Sequence, residues 1–213
     1  MRRSDLILVG VLAVTYAVFW LWYGGSGTPL TSGEVDAYLA KLEEIAARSE
    51  HSDPHTREAF RTLLREDDGN EYYMVNLMKY REKAEYPPGY DYDDDVEAAA
   101  DRYSAAVVAP LLVRGSLPIL LADQVGTFLD FDGADRWDQV GIVRYRSRRD
   151  MIEFALSLGE KDLGIHKRAS IEKTHVFPAV PIIDFVFVRG LVAVVLVAIG
   201  VALHFLLRAR ARS

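Results

Sequence analysis

Two stretches of the chain are apolar throughout, and the sequence between them follows helical and strand periodicities. Residues 6–23, LILVGVLAVTYAVFWLWY, carry no charge, and residues 190–207, GLVAVVLVAIGVALHFLL, are interrupted only by His204. Each is about as long as the ~17–25 residues that a helix needs to cross a bilayer. The first stretch closes on Phe19, Trp20, Trp22 and Tyr23, an aromatic interface anchor, so an uncleaved span is expected rather than a removed leader. A glycine-rich linker follows. Thr31 and Glu34 then fit a capping box, and Val35, Tyr38, Leu39, Leu42 and Ile45 recur at helical spacing. Asp53-Pro54 opens a second helix, with Phe60, Leu63 and Leu64 in a narrow apolar stripe. These two helices form an N-terminal appendage.

Past the turn signal Asp67-Asp68-Gly69-Asn70 the pattern changes. Residues 72–80 read as a strand. Asp95 caps a helix that turns Val96, Ala100, Tyr103, Val107 and Leu111 inward; Pro110 bends or shortens its last turn, and Gly115 ends it. Strands are predicted over 119–128 and 140–145, joined as a hairpin through Asp130, Asp132 and Gly133. Ser147 and Asp150 make a second capping box, leading a helix with Met151, Phe154, Ala155 and Leu158 on one face. Gly159 and Gly164 break that helix, a further helical turn covers 166–172, and 174–180 close as a short strand. The order βαββαβ is that of an α+β, ferredoxin-like sandwich. Its sheet carries helices on one face only, and the other must be covered. A homodimer closing two sheets into a barrel is the first expectation; the N-terminal helices are the alternative cover. The predicted divisions are tail 1–5, span 6–23, linker and appendage 24–70, α/β domain 71–180, span 181–207 and basic tail 208–213.

Charge adds an orientation. The chain carries −6 overall; Arg2, Arg3 and Asp5 give the first tail +1, and the residues after Pro181 give +3, which leaves −10 for the middle. With basic residues outside both spans, the positive-inside rule predicts cytoplasmic termini and an extracytoplasmic acidic domain in the cell membrane. Such a domain is a poor partner for nucleic acid. The absence of cysteine excludes disulfides, thiol nucleophiles and cysteine-bound metal. Asp184 and Arg189 precede the second apolar run, either as interfacial groups that snorkel to water or as a functional intramembrane pair.

The segments MVNLMKYREKAEYPPG, YSAAVVAPLL, WDQVGIVRYRSRRDMIEF and HKRASIEKT, spread over residues 72–177, resemble an uncharacterised bacterial domain family of the dimeric α/β-barrel superfamily. The resemblance implies fold and dimerisation. The wider superfamily includes cofactor-free monooxygenases and haem-degrading enzymes, some of which have an asparagine on the first strand, a tryptophan near the third and a histidine on the second helix. Asn76, Trp137 and His166 stand in similar places, so the resemblance admits an oxygenase, with haem as the possible cofactor.

The residues themselves suggest a ligand pocket with Asn76, Tyr103, Trp137, Arg144 and His166 as candidates. Asn76 shares a strand face with Met74 and Met78, and Val75 and Leu77 share the other with Lys79. If the aliphatic pair faces the helices, Asn76 points into the barrel interior, where a ligand, the backbone or a dimer mate satisfies its amide. Lys79 reads as a rim charge and Tyr103 as packing. Trp137 can stack on a ligand or fill an interface. His166 needs an orienting partner to act as ligand or base. Arg144, Arg146, Arg148 and Arg149 can meet an anion only if they form one patch. Asp91, Asp93, Asp94 and Asp95 imitate a calcium loop, but Val96 and Arg102 stand where its glycine and glutamate belong, so no metal is expected. No phosphate-binding glycine loop, nucleophile elbow or paired-histidine motif occurs. The expectation is a membrane-anchored domain that binds a small apolar or aromatic ligand or a partner protein, with an oxygenase or a structural dimerisation module as alternatives.

Overall fold

The computed structural model describes residues 3–24, 27–48, 54–129, 136–183 and 187–210. In chain order the elements are α1 (Arg3–Gly24), α2 (Ser32–Arg48), α3 (Pro54–Arg65), β1 (Tyr72–Tyr80), α4 (Val96–Val113), β2 (Leu117–Asp123), β3 (Gln139–Tyr145), α5 (Arg148–Glu160), α6 (Gly164–Ser170), β4 (Ile171–Ala179) and α7 (Val188–Arg210). They form two compact units, Ser26–Val180 and the terminal segments Met1–Gly25 with Pro181–Ser213. The predicted caps of α3 at Asp53 and of the hairpin at 130–133 lie outside the described residues, as does Asp184.

The central unit is α+β. Its four strands lie in the order β2-β3-β1-β4, every neighbouring pair antiparallel. Local chemistry starts the helices where it was expected. Thr31 and Glu34 exchange reciprocal bonds, the Thr31 N–H to the Glu34 carboxylate at 2.9 Å and the Glu34 N–H to Thr31 Oγ1 at 3.3 Å. Asp95 accepts from the Ala98 N–H at 3.1 Å, and Ser147 from the Asp150 N–H at 3.1 Å. Each such cap satisfies a donor that the helix leaves unpaired, for about 1 kcal/mol. Gly69, at φ +74°, turns the chain into β1, and a Cβ there would lie 2.5 Å from the Gly27 carbonyl oxygen.

The strand boundaries differ from expectation most at β2 and β4. β2 runs Leu117–Asp123 instead of 119–128, because after Asp123 the chain leaves the sheet through Gly126 at φ +144°, and Phe128 is almost fully exposed. Its early start takes in Pro118, which an edge strand tolerates, at the cost of a register shift between Pro118 and Leu120. β4 begins at Ile171, not 174, since its ladder with β1 already engages Tyr80. Pro110 is carried inside α4, which continues to Val113.

The even-numbered residues of β1 face the helices. Tyr72 and Met74 pack with Tyr145 and Val143 of β3 against Leu111, Met151, Phe154 and Leu158. Val75 and Leu77, with Val140, Ile142 and Phe177, lie on the other, open face, the reverse of the orientation on which the barrel-facing role of Asn76 depended. The appendage does not cover that face. Helices α2 and α3 pack on α5, where Val35, Leu64, Ile152 and Leu156 form a second buried cluster. Burying each of these aliphatic side chains contributes about 1.5–3 kcal/mol. Arg149 of α5 pairs with Glu34, and the Tyr38 hydroxyl donates to Glu153 at 2.9 Å.

In the terminal unit α1 and α7 run antiparallel, and both are long and apolar enough to span a membrane. A Cβ on Gly200 would lie 2.7 Å from Leu12 Cδ1, so the missing side chain sets how closely the helices approach. At one end His204 Nδ1 lies 3.1 Å from the Asp5 carboxylate. At the other, the Arg189 guanidinium sits 4.6 Å from the Trp20 ring centre and 5.3 Å from that of Tyr23.

Candidate functional site

The covered face of the sheet is filled at one end and hollow at the other. Along β1 the helix-facing residues run Tyr72, Met74, Asn76, and along β3 they run Tyr145, Val143, Gly141; Asn76 and Gly141 are direct cross-strand partners. That pair removes most of the side-chain volume from the middle of the layer. Helix α4 supplies Ala100 and Ser104 opposite, so nothing large closes the gap. The result is a cavity of about 460 Å³, within the range of roughly 300–1,000 Å³ usual for small-molecule sites. Leu111, Tyr145 and Phe154 wall it toward the packed end, while Ser104, Val108, Leu120 and Leu121 are exposed and mark its mouth between α4 and edge strand β2.

The lining is mostly apolar. Among its polar groups, the Tyr80 hydroxyl donates to Gln139 at 2.8 Å, and Ser170 Oγ donates to the His166 carbonyl at 3.0 Å. The Asn76 amide donates to the carbonyls of Met74 and Gly141 at 3.2 and 3.4 Å, leaving Oδ1 as an acceptor these bonds do not use. Tyr103 lies against the cavity, its phenol pushed up to about 12 by burial. Lys167 reaches in from α6, with Nζ 5.7 Å from the centre of the Tyr103 ring, and burial lowers its pKa. Among the described residues it is the only charged one in the lining.

Of the five residues singled out from the sequence, Asn76 and Tyr103 line this cavity and the other three do not. Trp137 meets His175 edge-on at 6.5 Å beside the open face, with Lys173 Nζ 5.5 Å from its ring centre. Arg144 is buried within the fold, binding Glu71 and donating to the Gly115 carbonyl at 2.8 Å. The other arginines are likewise engaged, Arg146 with Asp150, Arg148 with Asp68 and Arg149 with Glu34, so no shared anion patch forms. His166 turns away from the cavity toward the loop after β1, its Nδ1 2.9 Å from the Tyr86 hydroxyl and its ring edge-on to Tyr92 at 5.0 Å. Burial, and then the nearby Arg102 charge, lower its pKa. The asparagine, tryptophan and histidine of the oxygenase analogy thus sit in three separate environments.

Three of the four aspartates of the acidic loop have partners within the fold. Asp93 pairs with Arg102, Asp94 with Lys83 at 2.7 Å, and Asp95 caps α4. Backbone bonds from Arg81 to Ser170 and from Glu85 to Ala169 strap the loop onto the end of α6.

Lys167 is the residue that sequence reasoning passed over. A signal was present: it stands four residues after Leu163 and four before Ile171, the spacing that would set all three on one face of a helix running through them. His166, one position away and about 100° around the helix, drew attention for its ordinary pKa instead.

No family model and no curated protein matches the chain. Among solved structures it is similar to the RPA0582 protein of unknown function from Rhodopseudomonas palustris, at 18% identity and TM-score 0.53, over 63% of this chain and 97% of that one. The methylated RPA0582 protein is similar at 20% identity and TM-score 0.51, over 64% and 97%. At these identities the likeness concerns the fold alone.

Proposed function

We propose that the central unit binds a small, largely apolar or aromatic molecule in the cavity between α4 and the sheet. The carrying observation is the Asn76–Gly141 pair, which leaves about 460 Å³ open in a layer that is otherwise densely packed. Unoccupied apolar space loses packing contacts, and a ligand restores them. A neutral alkyl diazirine alcohol tests this on the full chain in lipid nanodiscs. Photoadducts are expected on Met78, Tyr103 and Val107, and Ser104→Trp at the mouth should abolish them without unfolding. Adducts scattered over the lipid-facing helices alone would reject the reading.

The strand order and antiparallel pairing support a ferredoxin-like sandwich whose open face, bearing Val75, Leu77, Val140, Ile142 and Phe177, closes against a second copy. The appendage packs on α5, which leaves that face to a twin. The antiparallel α1–α7 pair places Arg3 and Arg208 at one end, which supports membrane insertion with that end cytoplasmic and the acidic domain outside. The chain lacks cysteine, so single substitutions report cleanly. Phe177→Cys should cross-link between copies through a short bis-maleimide, and Asp101→Cys should react with an impermeant maleimide on intact cells. Monomeric Phe177→Cys, or an unlabelled Asp101→Cys, would remove the corresponding element. No observation favours an oxygenase or haem site.

A further inference from the structure

The cavity has a sign. The segment between the spans carries ten more acidic than basic charges, yet among the described residues no aspartate or glutamate lines the cavity, and the one charged group there is Lys167. Elsewhere in the unit cations are neutralised nearby: Lys79 by Asp138 at 2.8 Å, Lys83 by Asp94 at 2.7 Å, Arg168 by Asp162 at 2.9 Å. Among the described residues no carboxylate pairs with Lys167, and its Nζ lies 5.7 Å from the centre of the Tyr103 ring. A ring face attracts an ammonium weakly and supplies no hydrogen-bond acceptor for it. Desolvating an ammonium without an anion is unfavourable, and the lowered pKa of this group is the same cost seen from the other side.

Resting on the cavity as a small-molecule site, we propose that Lys167 selects its ligand class: a monocarboxylate with an apolar body, whose carboxylate pairs with the ammonium while the tail lies toward Met78, Leu111 and Phe154. The carboxylate supplies the missing acceptor in a setting where a charge-assisted hydrogen bond is strong. The Tyr103 hydroxyl makes no hydrogen bond among the described residues, and its residue lines the same cavity, so it is available as a second donor. An apolar tail answers the rest of the lining. A phosphate monoester or dicarboxylate would bring a second charge that no cation here meets.

Octanoate and octanol isolate the claim, because they share a tail and differ in the charged head. Each competes with the diazirine alcohol for the cavity adducts, compared at equal free concentration and neutral pH on the full chain in nanodiscs. Octanoate should displace the probe at a concentration about tenfold lower than octanol, the scale of one charge-assisted hydrogen bond. In Lys167→Met octanol should compete as before and the octanoate preference should vanish. Equal competition in the unsubstituted protein, or a preference that survives Lys167→Met, overturns the assignment while leaving the cavity reading intact. Absence of any cavity adduct overturns both. If Lys167→Met does not fold, the octanoate-to-octanol ratio of the unsubstituted chain still decides. A borohydride-stabilised octanal adduct on Lys167 without an octanoate preference would replace the ion pair by imine chemistry and overturn the proposal.

Discussion

The two ends of the covered sheet face are built from the same strands and the same helices, yet they solve opposite problems. At the packed end Tyr72 and Tyr145 stack at 5.7 Å, Phe154 tilts against Tyr145 at 6.0 Å, and Arg144 is fully satisfied inside the fold. At the hollow end the opposing residues shrink to Asn76 and Gly141, and Asn76, Tyr103 and Lys167 line open space. Core packing explains the first arrangement, since it buries large side chains and leaves little void, although the Tyr72 hydroxyl is buried there without a hydrogen-bond partner among the described residues. It does not explain the second, where a leucine in place of Asn76 would fill volume and remove an amide. A region that stability alone would have filled is where binding is best sought.

Substitutions at the two ends should separate these roles. Phe154→Ala removes a ring from the packed end and is expected to cost about 3–5 kcal/mol in denaturant unfolding. Gly141→Ala, at the hollow end, should be far milder. Its new methyl would lie 3.3 Å from Met78 Cε, the flexible tip of a side chain with empty space to turn into. Relief of glycine's unfolded-state entropy offsets part of that strain, so a change within about 1 kcal/mol in either direction is expected. A Gly141→Ala penalty matching that of Phe154→Ala would mean that the hollow end is as tightly built as the other, and the comparison would collapse.

Much of the fold was legible in the sequence and little of the site. The capping box at Thr31, the caps at Asp95 and Ser147 and the full span of β1 follow from local rules, because the groups that form them lie within a few residues of each other. The ends of β2 and β4 do not, since an edge strand stops where its partner stops, and the partner is distant in sequence. Which face of β1 meets the helices was equally hidden: Met74–Asn76–Met78 and Val75–Leu77–Lys79 are both mixed stripes, and only pairing with Tyr145, Val143 and Gly141 breaks the tie. The cavity depends on that cross-strand match, so its lining could not be assembled residue by residue. Arg144 shows the converse, a charge that reads as a surface group and is buried because Glu71 and a helix-end carbonyl converge on it.

The smallest expected effect concerns the support behind the packed end. Glu34 caps α2 through Thr31 and pairs with Arg149 on α5, and its carboxyl is lowered from the ordinary 4.5 to about 2, first by the Arg149 hydrogen bond and then by the Thr31 backbone bond. Because the folded value lies below the unfolded one, the contribution is complete above about pH 4.5 and is lost as the pH falls toward 2. Other carboxyls titrate in the same window, Asp94 held low by Lys83 and Asp138 by Lys79, so only the difference between two proteins isolates Glu34. Glu34→Gln keeps a side chain that can complete the cap and removes the charge. Its unfolding midpoint should lie slightly below that of the unsubstituted chain at pH 7, and the two curves should converge between pH 4.5 and 2. Photoadducts in the cavity should be unchanged at pH 7, since α2 packs on α5 and contributes nothing to the lining. Curves that stay parallel down to pH 2 would show that the Glu34–Arg149 pair is solvated and that α2 is held by Val35 and Leu39 alone. A loss of adducts in Glu34→Gln would show instead that the packed end and the hollow end are mechanically one.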